Sequence, residues 1–149
     1  MASRFSSRPP AWFKIAAIAL ILWGLIGCAS FYFMYLAYDP ALDPAATDWD
    51  RRYRGVAGMP LWLGVVYFAA VAGGTAAAIA LLARSRLAVA FAAISLIAVV
   101  VQFGWTFAAT GIIAEKGAMT AIAFPAVIFL VALFQLWLAN KAKAKGWLH

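Results

Sequence analysis

The sequence predicts an all-α, polytopic membrane protein: an up-down bundle of four transmembrane helices with both termini cytoplasmic. Three observations lead there. Of 149 residues, 67% are hydrophobic and only 11% charged, whereas soluble domains run nearer half apolar and a quarter charged. Four apolar stretches are each long enough to cross a hydrocarbon core of ~30 Å, which takes about 20 helical residues. The links after the second and third are only a few residues long, which forces antiparallel neighbours.

The elements follow in order. Residues 1–14 form a cytoplasmic tail, and the first span covers 15–38. A long loop, 39–59, leads to the second span, 60–83. A turn at 84–86 joins it to the third span, 87–113, and a second turn at 114–118 to the fourth, 119–140. Residues 141–149 form the other tail. None of the four spans contains Asp, Glu, Arg or Lys. Backbone in lipid must satisfy its own hydrogen bonds, so these spans are helices within one membrane domain, 1–149.

Orientation rests on the basic residues. With both termini inside, Arg4, Arg8, Lys14, Arg84, Arg86, Lys141, Lys143 and Lys145 face the cytoplasm. Arg51, Arg52, Arg54 and Lys116 face out, and the positive-inside rule favours the side with the larger number. The net charge of +7 therefore points to lipid headgroups and topology, not to nucleic acid. Trp12, Trp62, Trp137 and Trp147 suit the interfacial belts. The expected location is a bacterial inner membrane.

All five acids fall outside: Asp39, Asp43, Asp48, Asp50 and Glu115. The aspartate spacing does not match the alternating oxygens of a calcium loop, which also needs a central glycine and a closing glutamate. The loop reads as a solvated connector carrying a short helix on the membrane; a specific ion or partner site is the alternative. One cysteine, Cys28, and one histidine, His149, leave no Cys- or His-based metal site. No metal, cofactor or catalytic residue is expected. The ending Leu25-Ile26-Gly27-Cys28 resembles a lipidation signal. The apolar run continues through Leu36, however, so Cys28 is expected to remain an unmodified, packed thiol.

The third span carries a polar seam: Ser95, Gln102, Thr106 and Thr110 fall within an arc of about 80° at 100° per residue. Such groups look inward in a membrane bundle, either to tie helices together or to line a path for an uncharged solute. Tyr32, Tyr35, Tyr67, Phe103 and Trp105 lie in the outer halves of the first three spans. Rings beside amide and hydroxyl groups suit a sugar-like solute, and they also suit a core or belt. Ala69, Gly73 and Ala77 form a small-residue stripe that lets backbones approach, inside the bundle or against another protomer. Pro125 removes a backbone hydrogen bond and should kink the fourth span. No carboxylate lies within a span, which disfavours proton-coupled transport.

Several segments resemble a family of small bacterial inner-membrane proteins with four helices. They are "LWGLIG" (22–27), "MPLW" (59–62), "FAAVAGG" (68–74), "AFAAISL" (90–96) with Gln102, and "LWLANKAKAKGWL" (136–148). Members are often labelled "sugar transporter", and the resemblance implies transport without assigning binding residues. Family members read Leu-Trp-Asn where this chain reads Leu22-Trp23-Gly24. Two functions are expected from these readings. The first is a non-catalytic accessory or assembly subunit packing on itself or on a larger membrane complex. The second is a small transporter of an uncharged, sugar-like solute.

Overall fold

A computed structural model describes residues 8–149; Arg4 and the start of the first tail lie outside the described residues. Seven α-helices were found among them: α1 Ala11–Phe31, α2 Asp48–Tyr53, α3 Gly55–Gly58, α4 Leu61–Leu82, α5 Leu87–Ala109, α6 Ile112–Lys116 and α7 Ala118–Ala144. The described residues contain no strand. Four helices are long and apolar enough to cross a membrane: Ala11–Leu36, Leu61–Leu82, Leu87–Ala109 and Ala118–Ala144, at mean hydropathy 2.1 to 2.4. Twenty-two residues, the shortest, extend about 33 Å at ~1.5 Å each, enough for the ~30 Å core.

The helix ends differ from the sequence expectation where a charge or a glycine intervenes. The first span begins at Ala11, directly after Pro10, because the long stem of Lys14 lets its ammonium sit on a continuing helix. Its last turn, Tyr32–Leu36, widens to a π-helix. The third span stops at Ala109, four residues early. Gly111 takes φ 64°, a left-handed conformation that suits glycine and ends a helix. The fourth helix runs on through Lys141 and Lys143 to Ala144, where basic side chains complement the carbonyl end. Pro125 lies inside this helix, which continues unbroken past it.

Packing follows chain order: α1 on α4, α4 on α5 and α5 on α7, with α1 and α7 not close-packed along their lengths. Each neighbouring pair is antiparallel. Along α1, Gly24 faces Thr75, Gly27 faces Val71, and Ser30 bonds Tyr67 at 3.0 Å. A Cβ at Gly24 would collide with the Thr75 hydroxyl, and one at Gly64 with the Tyr35 ring. These glycines set how closely α1 approaches α4. Cys28 sits in the same seam, its Sγ 3.5 Å from Thr75 Oγ1.

The stripe Ala69, Gly73 and Ala77 is used inside the bundle. Ala77 is fully buried, Ala69 packs beside Ala70, Ala98 and Val99, and a Cβ at Gly73 would stand 3.5 Å from the Phe91 carbonyl of α5. At the end carrying both termini, Phe13, Leu20, Leu81, Leu138, Trp147 and Leu148 form a sealed core. The tail folds back there: Arg84 donates Nε–H to the Trp147 carbonyl at 2.9 Å, and the His149 amide donates to the Arg84 carbonyl at 2.9 Å.

Candidate functional site: a cavity in the loop half of the bundle

The opposite half of the bundle is hollow. A cavity of about 430 Å³ lies between α1, α4, α5 and α7, and the 39–59 loop contributes Trp49, Tyr53, Arg54 and Met59 to its lining. That size falls within the ~300–1,000 Å³ of small-molecule pockets. Most of the lining is apolar, including Leu20, Ile26, Val71, Val99, Ile128 and Val131. Ile26 and Phe124 line the cavity and are also 65% and 64% exposed on the outer surface. They form a rim where the cavity opens sideways between α1 and α7.

The polar seam of α5 runs along one wall. Ser95, Gln102, Thr106, Thr110, Tyr67 and Trp105 all line the cavity. Their hydrogen-bonding states differ. Ser95 donates across the helix interface to the Ala70 carbonyl at 2.7 Å. Thr106 donates to the Gln102 carbonyl at 2.9 Å, and Thr110 to the Thr106 carbonyl. These two hydroxyls bond back to their own helix, as Thr does in membrane spans, and tie no helices together. Gln102 is 8% exposed, and its amide has no hydrogen-bond partner among the described residues. No polar side-chain atom among them is sealed away without a partner, so the Gln102 amide opens into the cavity.

The remaining aromatic candidates separate. Tyr35 is buried against Phe31 and Gly64 without lining the cavity, and Tyr32 points outward, 54% exposed. Neither belongs to a solute path through this cavity.

Sequence reasoning missed Gln135 of α7. Its Nε2 donates to the Gly74 carbonyl at 2.8 Å and its Oε1 comes within 3.6 Å of where a Cβ on Gly74 would sit. The signal was available, since Gln135 is the one other glutamine in the chain and a buried amide in lipid faces inward. Gln135 stands apart from Thr120 and Asn140 along α7 and so sets up no periodic pattern like the α5 seam.

The acidic loop requires a correction. Asp48 is solvated, but Asp50 is 3% exposed and so does not sit in a solvated connector. Thr47 and Asp50 form a reciprocal capping box that starts α2. The helix then turns Asp50 inward, where its Oδ1 meets Arg54 Nε at 3.2 Å and Lys116 Nζ at 3.0 Å. Burial pushes the Asp50 carboxyl up, but hydrogen bonds from Thr47 and Lys116 and the charge of Arg54 outweigh it. The net result lies below the ordinary 3.8. Trp49 donates its indole N–H to the Thr110 carbonyl at 3.1 Å, and Lys116 sits 5.3 Å over its ring. The loop is thereby fastened to the α5–α7 connection and caps the cavity.

No group of His, Cys, Asp and Glu among the described residues is arranged to hold a metal ion. No protein-family model, curated protein or solved structure matches the chain. The resemblance to small inner-membrane proteins therefore stands on the sequence segments alone. At Gly24, where those proteins read Asn, the Thr75 side chain fills the space.

Proposed function

We propose that this chain is a non-catalytic protein of a bacterial inner membrane that binds a small uncharged ligand in its loop-half cavity, as a carrier or accessory subunit. Both termini are cytoplasmic in this reading, which follows from the excess of Lys and Arg at that end. One observation carries the binding reading. The Gln102 amide is nine-tenths buried, lacks a protein partner and borders a cavity of ligand size. A primary amide offers two donors and an acceptor, which no protein group among the described residues meets in this cavity and which a ligand hydroxyl or carbonyl can engage.

An assembly role draws less support, because the α4 stripe that suggested it packs against α5 within the chain.

The test is ligand-induced thermal stabilisation in mild detergent across a panel of uncharged solutes, sugars included. At least one compound should raise the melting temperature of the wild type and leave Gln102→Leu unshifted. A panel without effect, or an equal shift in both proteins, would contradict the reading.

A further inference from the structure

The shape and the opening of the cavity say what kind of molecule fits. Its lining runs along α5 from Ser95 to Thr110, a length of about 22 Å at ~1.5 Å per residue. The slot is therefore elongated along the helix axis. An elongated, mostly apolar slot matches an extended hydrocarbon chain, whose length runs along the helix, better than a compact sugar ring covered in hydroxyls.

Access matters as much as shape. The rim residues Ile26 of α1, Met34 of the π-helical turn and Phe124 of α7 are apolar and exposed. They lie within segments long enough to span a membrane, so the opening gives onto hydrocarbon. On the aqueous side the capping loop is held by Asp50, Lys116 and Trp49. A water-soluble solute meets a fastened cap, whereas a lipid meets an open side.

Polarity is graded along the slot. Toward the sealed core lie Leu20, Val131 and Ala132, with Ser95 and Gln135 already donating to backbone carbonyls. Toward the loop lie Gln102, the lone pairs of Thr106, and the Ser30–Tyr67 hydroxyl pair, which shares one hydrogen bond and retains a second O–H. Charge is absent at the level of Gln102. The nearest cation in the lining, Arg54, is at the loop and paired with Asp50. Gln102 and Thr110, which meets the loop through Trp49, are about 12 Å apart along α5. An ionised head at Gln102 would be unpaired in a low-dielectric setting, which is strongly unfavourable.

We propose that the slot takes an uncharged single-chain amphiphile directly from the bilayer. A hydroxyl or ester carbonyl of the ligand lies on the Gln102 amide, and its hydrocarbon chain lies toward Leu20 and Val131. This rests on the cavity being the binding site, and it names the ligand class that site selects.

Photolabelling in lipid nanodiscs tests it, using a monoacylglycerol with a diazirine near its chain terminus. Labelling should saturate, concentrate on peptides containing Leu20 and Val131, and be displaced by excess unlabelled monoacylglycerol but not by an uncharged monosaccharide. Gln102→Leu should weaken apparent binding about tenfold, which corresponds to ~1.4 kcal/mol. Ala132→Leu, which adds bulk inside the slot, should reduce labelling while Gln102 is intact. Both variants are first checked for wild-type elution and melting.

Several results would overturn the inference. Non-saturable labelling spread over outward-facing residues such as Ile18 and Leu25, unchanged in both variants, would remove both the lipid and the cavity as a binding site. Displacement by the monosaccharide, without displacement by monoacylglycerol, would keep the cavity as a site and reject the amphiphile. Stronger capture of a diazirine fatty acid, dependent on Arg54, would reject the uncharged head.

Discussion

The two halves of this bundle are built from the same residue types and end in opposite states. At the termini end, large side chains meet small ones: Phe13, Leu81 and Leu138 interdigitate with Ala17, Ala78, Ala139 and Ala142, and Leu148 closes the end at 1% exposure. In the loop half the buried apolar cluster shrinks to Ala70, Ala98 and Val99, and a cavity takes the remaining space. The difference traces to the α1–α7 pair. Trp12 and Phe13 of α1 and Lys141 of α7 close on the Trp147 tail and on each other. Among the described residues no comparable aromatic or cation–ring contact joins α1 to α7 beside Gln102. Hydrophobic composition alone therefore does not determine packing; a chain segment must be available to fill the gap.

This contrast is broken most severely by truncation at the sealed end. Phe13→Ala should cost about 3 kcal/mol, as large-to-small changes in packed cores do, and should lower the melting temperature sharply. Phe124→Ala, at the exposed rim of the slot, should stay within about 1 kcal/mol. Comparable losses at the two sites would mean that both halves are equally packed.

Next in size is Gly24→Asn, which installs the residue of the resembling family. Overpacking of this kind costs about 1–3 kcal/mol, since the new side chain meets Thr75. Thr75→Ala in the same chain should recover part of the loss in a thermal melt. A neutral Gly24→Asn would show that α1 and α4 are farther apart than the Gly24–Thr75 contact implies.

The cap gives a pH dependence. Asp50 has a lowered folded-state pKa, so its contribution to stability is present above the ordinary carboxylate value. It is lost as pH falls below 3.8 through the depressed value in the folded state. The protection of residues 48–59 against hydrogen exchange, taken relative to the intrinsic rate at each pH, should fall on that descent. Asp50→Asn should show reduced protection already at pH 7 and lose the acid dependence, with the four long helices still protected. A loop whose protection ignores both pH and Asp50 would show that Lys116 and Arg54 do not fasten it.

The smallest expected stability effect is at Gln102. Gln102→Leu should change the melting free energy by no more than about 1 kcal/mol, because the amide ties no helices together and its desolvation demand disappears with it. Its effect belongs to ligand binding.

Much of this fold was legible as sequence, and the reason is physical. A span in lipid must be helical and apolar over a fixed length, so the second span, expected at 60–83, is observed at Leu61–Leu82. Errors cluster where single residues decide an end. The first helix begins at Ala11 rather than at residue 15, since a lysine stem can lie along a helix, and α5 ends at Ala109 rather than at residue 113, because Gly111 turns left-handed. The site was half legible. Four polar residues on one face of α5 announce a seam, and all four line the cavity. That Thr106 and Thr110 bond within their own helix, leaving Gln102 without a partner, depends on rotamers that spacing does not encode. Asp50 illustrates the same limit. Its neighbours in sequence suggested a hydrated loop, whereas its ion pair with Lys116 joins residues 66 apart.

The most direct test of the account is a map of the protein in lipid nanodiscs at a resolution that defines side chains. The account predicts a continuous core around Phe13, Leu138 and Leu148, a gap between α1 and α7 beside Gln102, and elongated density in that gap reaching the Gln102 amide. Helices α1 and α7 closed against each other at that level, with Gln102 hydrogen-bonded across the interface, would contradict it.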